Sequence, residues 1–165
     1  MSIHMHMRAV AEPEIRDDHA WLAAFMRTAW ENHPAEYAAG IAASLDKVWG
    51  AVNDLYAAAE ALDADDAKSW ELPIYGGRPV AHSADADPSD PPLGILDPPG
   101  VSQAADFLAS VSFDELWNVA GAQLVWSGWD EAQVRQEFLD HHRHLQDFYG
   151  RAATAGHAVV RAVWA

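Results

Sequence analysis

The chain has 165 residues and a mass of 18.0 kDa, 50% hydrophobic and 21% charged, which is the balance of one globular domain over residues 1–165. Its 25 acidic residues against 10 basic ones give a formal charge of −15, which argues against nucleic acid and anionic membrane surfaces as partners, since both are held by basic charge. The absence of cysteine excludes disulfides, thiol nucleophiles and thiolate metal sites, and no apolar run approaches the roughly 20 residues of a membrane span.

The N-terminal residues alternate, with Ile3, Met5, Met7 and Ala9 set against His4, His6 and Arg8. Period two predicts a half-buried strand with both histidines on its solvent face. Nothing there resembles the apolar core of a signal peptide, so a cytoplasmic location is expected. From Asp17 and Asp18 a helix is predicted through Trp30, with Leu22, Phe25, Met26 and Ala29 as its apolar stripe. His33-Pro34 ends it, because the residue before proline is pushed out of helical geometry.

A long helix is predicted from Ser44 to Leu62, capped by Ser44, on the three-and-four spacing of Leu45, Val48, Trp49, Val52, Leu55, Tyr56, Ala59 and Leu62. Asp63, Asp65 and Asp66 read as a solvated acidic turn behind it. Residues 76–100 form a Pro/Gly-rich stretch, an ordered functional loop or a mobile one, interrupted by a brief strand at Leu93–Leu96. Helices follow through Val101–Leu108, from a Ser112 cap, and from an Asp130 cap to Ala155, where Gly156 is the stop. Ala158–Trp164 closes the chain as a strand. One strand at each end with helices between predicts a helix-rich α+β domain whose terminal strands share a small sheet.

Local catalytic signatures are missing: there is no G-x-S-x-G, Walker loop, G-x-G-x-x-G or H-E-x-x-H. Glu137, His141 and His144 fall at i, i+4 and i+7 on the last helix, so the three could supply ligands to zinc or a related divalent ion. The bland alternative makes these helix-boundary histidines beside the buried stripe of Val134, Phe138, Leu145 and Tyr149, and no cofactor is expected. Asp85, Asp87 and Asp90, with His82 nearby, lack the central glycine of a calcium loop and read as a disordered acidic segment. Trp126 and Trp129 flank Ser127-Gly128 on a turn, where they either line an interaction surface or plug the end of the core.

Three segments resemble the YfbM-like proteins, a bacterial family of small domains of unknown function. They are Leu45-Asp46-Lys47-Val48-Trp49; Ile74-Tyr75-Gly76-Gly77-Arg78-Pro79-Val80 with Leu96-Asp97-Pro98 further on; and Phe148-Tyr149-Gly150-Arg151-Ala152-Ala153 through Ala155-Gly156-His157-Ala158-Val159-Val160. After Trp49 this chain departs from the family, carrying Asn53, Asp54 and an alanine-rich run. The resemblance implies an α+β domain and no reaction, cofactor or catalytic set. Asp46 and Lys47, a charged pair beside a core tryptophan, are binding candidates; the alternative is that Asp46 serves the helix N-terminus and Lys47 a nearby carboxylate.

The reading favoured by these features is a non-enzymatic binding or interaction module, of accessory or immunity type, steered to a basic protein partner by its acidic field. The competing reading is a small metal-assisted enzyme using Glu137, His141 and His144, with His157 or a loop aspartate in support. A homodimer acting through its oligomeric surface is the third.

Overall fold

The computed structural model describes residues 3–62 and 68–165, so the acidic turn at Asp63, Asp65 and Asp66 lies outside the described residues. The alternating N-terminal segment forms β1 (His4–Val10) and the closing segment forms β5 (Ala158–Trp164). They pair antiparallel from His4↔Trp164 to Val10↔Ala158 and occupy the middle of one five-stranded sheet, ordered β2-β1-β5-β4-β3. The other strands are β2 (Ala42–Leu45), β3 (Arg78–Val80) and β4 (Leu93–Leu96), every pairing being antiparallel. Pro79 is tolerated in β3 because that strand is an edge.

Helices cover both faces. Met5, Met7, Ala9, Ala43, Leu45, Leu96 and Val159 point into the larger core, packed with α3 (Trp49–Ala57), α5 (Pro98–Ser110), α6 (Phe113–Leu124) and α7 (Glu131–Thr154). Val10, Leu93, Ile95, Val160 and Ala162 point the other way, under Leu22, Ala23 and Met26 of α1 (His19–Glu31). This second layer corrects the expectation for β1. His6 is fully buried rather than solvated, because α1 lies over the face on which the polar residues alternate.

The predicted helix starts hold where a side chain caps them. Asp18, Ser112 and Asp130 accept from the backbone N–H of Ala20, Glu115 and Ala132. The break expected at His33-Pro34 falls instead at Asn32: His33 is helical, and α2 (His33–Ala38) restarts with Pro34 in its first turn, where no donor is needed. At its other end α7 stops with paired bonds from Gly156 N–H to Ala153 and from His157 N–H to Ala152, with Gly156 at φ +69.

The helix expected from Ser44 to Leu62 is the main structural correction. Residues 42–45 are instead the edge strand β2, with Ser44 opposite His6 and Leu45 opposite Met5. Helix α3 begins only at Trp49, without a side-chain cap, and a 3-10 turn continues it over Ala58–Glu60. A four-residue apolar run cannot be told from a helix segment by period; the open edge of β1 decides it.

The proline-rich stretch is also more organised than expected. Asp87 accepts from Ser89 through both its backbone N–H (2.8 Å) and its hydroxyl (2.7 Å), while Asp90 is bound by Arg27 at 3.0 Å. The chain enters β3 from α4 (Leu72–Tyr75) through Gly77, whose φ of +89 and close approach to Ile95 leave no room for a side chain. A Cβ there would lie 2.3 Å from the Ile95 carbonyl oxygen, whereas one at Gly150, inside α7, would meet nothing within 4 Å. Urea unfolding is therefore expected to show Gly77→Ala losing on the order of 3 kcal/mol and Gly150→Ala gaining about 1 kcal/mol.

Candidate functional site

The tightest concentration of polar chemistry lies between β1 and the first two helices. The His6 ring sits 5.0 Å from that of Trp30 and 5.1 Å from that of His33. Trp164 donates its indole N–H to His6 Nδ1 at 3.4 Å, and His33 Nε2 lies 3.0 Å from the Ser44 hydroxyl. His6 Nε2 and His33 Nδ1 are buried without a hydrogen-bond partner. Burial first, then the charges on His33 and Arg8, hold the His6 pKa down to about 3. Burial also lowers His33, with Glu36 opposing. Ser44 therefore serves His33 rather than a helix terminus.

Asp46 and Lys47 form the exposed turn between β2 and α3. The Asp46 carboxylate binds His4 Nδ1 at 2.6 Å, while its backbone carbonyl accepts the Trp49 N–H at 3.3 Å. Lys47 is exposed and enters none of the ion pairs among the described residues. The two charges thus diverge.

On α7 the side chain turned inward is His142, whose Nδ1 lies 3.0 Å from the Tyr56 hydroxyl in a pocket shared with Phe113. Desolvation, helped by Arg143, brings its pKa down to about 4, and full burial raises that of Tyr56. Val134, Phe138, Leu145 and Tyr149 are buried as expected. Glu137 and His144 are exposed and His141 is half-buried. His144 Nδ1 is 3.1 Å from the Tyr37 hydroxyl. Among the described residues no three His, Asp or Glu side chains converge as metal ligands, so the Glu137, His141 and His144 set is not assembled. His157 belongs to the backbone stop after α7, and the His82 ring lies against that of His19, tilted by 36° with centroids 4.2 Å apart.

Trp126 and Trp129 stand out differently. They are 68% and 55% exposed, so they do not plug the core. Their rings meet edge to face at 5.8 Å, over a turn closed by the Trp129 N–H on the Trp126 carbonyl at 3.0 Å. Gly128 sits in that turn at φ +88, and Asp130, which follows Trp129, caps α7, so the aromatic pair is held by a helix terminus.

One side chain outside the sequence-based candidates is Arg161. It lies within β5 between Val159 and Val163, on the face turned to the large core, and donates Nη1–H to the Ile74 carbonyl. Burial pulls its pKa below the usual arginine range. A signal for it existed in the sequence: period two in Val159-Val160-Arg161-Ala162-Val163 puts the arginine in line with two valines.

A family model described as a domain of unknown function, DUF1877, matches residues 1–161. The chain belongs to that family. The crystal structure of a protein of unknown function, YfbM from Escherichia coli, superposes with a TM-score of 0.57 over 97% of this chain and 99% of that one, at 15% identity. That identity carries the fold alone, and the α+β, YfbM-like architecture expected from the sequence is the one observed. No curated protein matches the chain. No helix among the described residues is long and apolar enough to cross a membrane.

Histidines held below their usual pKa make stability depend on pH, His6 and His142 the most. In the unfolded chain His6 and His142 take up a proton near the ordinary histidine value of 6.5, whereas in the folded chain they do so only at about 3 and about 4. Between those limits the unfolded state binds more protons, so stability falls as pH falls, by roughly 1.4 kcal/mol per pH unit for each histidine. Urea unfolding from pH 7 to pH 4 is expected to show this slope, and His142→Gln should remove about 1.4 kcal/mol per pH unit of it.

Proposed function

We propose that the protein is a non-enzymatic interaction module of the bacterial cytoplasm, acting as one domain, which docks a basic protein partner through Trp126 and Trp129. The observation that carries this reading is the exposure of two contacting indoles on a hydrogen-bonded turn. Large aromatic side chains held in place lose little entropy on binding, and tryptophan is enriched among the residues that dominate interface energy.

Charge supports the choice of partner. Asp130 and Glu131 follow the pair directly, and the whole chain carries −15. A basic surface would be drawn to this field over a Debye length and then desolvate the indoles. An accessory or immunity-type role fits such a surface.

The test uses the intact chain as bait in an extract of its native host. A basic protein is expected to be retained by the wild type, released as salt rises, and bound at least about tenfold more weakly by Trp126→Ala and Trp129→Ala. Both variants should keep wild-type unfolding midpoints, because the rings are exposed. Equal retention by wild type and variants would overturn the proposal. So would sedimentation showing that the indoles join two copies of this chain.

A further inference from the structure

Arg161 sits near the centre of the sheet, opposite Met7 on β1 and Gly94 on β4. A guanidinium carries five N–H donors. Among the described residues, this one makes a single hydrogen bond, to the Ile74 carbonyl, and takes part in none of the ion pairs. The nearby Tyr149 hydroxyl donates to the Pro73 carbonyl at 2.7 Å and makes no hydrogen bond with the guanidinium. A half-buried cation without an acidic partner costs stability unless something else neutralises it.

Beside the guanidinium lies a cavity of about 210 Å³. Its walls include Met5, Trp49, Tyr75, Pro92 and Val163, and Arg161 is the one charged side chain among the described residues that line it. Glycines keep the space open: a Cβ on Gly94 would lie 2.9 Å from Arg161 Nη2, and Gly77, also in the wall, is held against Ile95. Tyr75 is 53% exposed and forms the rim. Trp49 is the first residue of α3, Tyr75 the last of α4, Gly77 lies in the α4–β3 connection, and Arg161 comes from the closing strand. These are the segments, or the residue next to them, on which the family resemblance rests.

We propose that this cavity binds a small organic carboxylate, with the carboxylate on Arg161 and an apolar or aromatic body against Trp49, Met5 and Val163. One cation matches one negative charge. The apolar walls offer nothing to a second, which favours a monocarboxylate over inorganic phosphate. The volume is on the order of seven liquid waters, enough for a ring and a carboxymethyl group. A ligand there would supply the counter-charge that the fold withholds from Arg161. The site uses neither Trp126 nor Trp129, so it stands apart from the docking surface.

The experiment is a proton–nitrogen NMR titration of the full chain with phenylacetate, phenylacetamide and inorganic phosphate in parallel. Phenylacetate is expected to shift the Trp49 indole and the Gly77 and Gly94 amides saturably, with a Kd of about 1 mM or tighter. Phenylacetamide, equal in shape but uncharged, should bind at least about tenfold more weakly. Arg161→Gln, which keeps a donor for the Ile74 carbonyl, should weaken phenylacetate to the same extent. No shift at these residues, equal binding of acid and amide, or the same shifts from phosphate would each overturn the proposal. Should Arg161→Gln fail to fold, the comparison of acid with amide decides on the wild-type chain alone.

Discussion

The pairing of the first strand with the last is the constraint on which the rest of the molecule depends. β1 and β5 run side by side over their full lengths, β5 as the central strand of the sheet and β1 beside it. Strands so placed have neighbours on both edges, and each face must also be covered, since a five-stranded sheet with two apolar faces is not stable in water. The covering is unequal. Most of the helices build one large core, while α1 with α2 closes the opposite face. Joining segments about 150 residues apart is entropically demanding, and the continuous ladder of backbone bonds with two packed faces offsets that demand.

This arrangement places polar groups where the strands alone would not. His6 becomes neutral and buried because α1 and Trp164 close over it, and His142 does so because α7 packs against Tyr56 and Phe113. Arg161 is carried inside by the same logic: a residue in the middle of a central strand has no route to bulk water except along a cavity. The Gly94 position beside it supplies that space, since any larger neighbour would occupy the path of the guanidinium. The buried histidines and the half-buried arginine therefore share one cause, the covering of a sheet whose middle is made by the chain ends.

The outward features follow a different rule. The acidic excess is spread over the loops and helix faces, where it sets the long-range field without shaping the core. Trp126 and Trp129 are exposed because they lie on a turn between α6 and α7 that already satisfies its own backbone bonds. Nothing in the local sequence distinguishes such a pair from one that folds back on the helix ends; only the direction in which α7 leaves the turn decides it. The same applies to Glu137, His141 and His144, which share one side of α7 but, among the described residues, gather into no group that could hold a metal ion.

What the sequence determined by itself is the local grammar: the caps at Asp18, Ser112 and Asp130, the stop at Gly156, the short strand at Leu93–Leu96 and the two terminal strands. Each rests on interactions within a few residues, so it is legible from spacing and residue type. The three family-like segments were legible too, though not that they gather around Arg161. Tertiary structure alone decided that Ala42–Leu45 is a strand, that His6 and His142 are buried, and that the paired tryptophans face outward. Those outcomes depend on which edge, face or helix arrives from elsewhere in the chain, and a residue's own neighbours in sequence carry no record of that arrival.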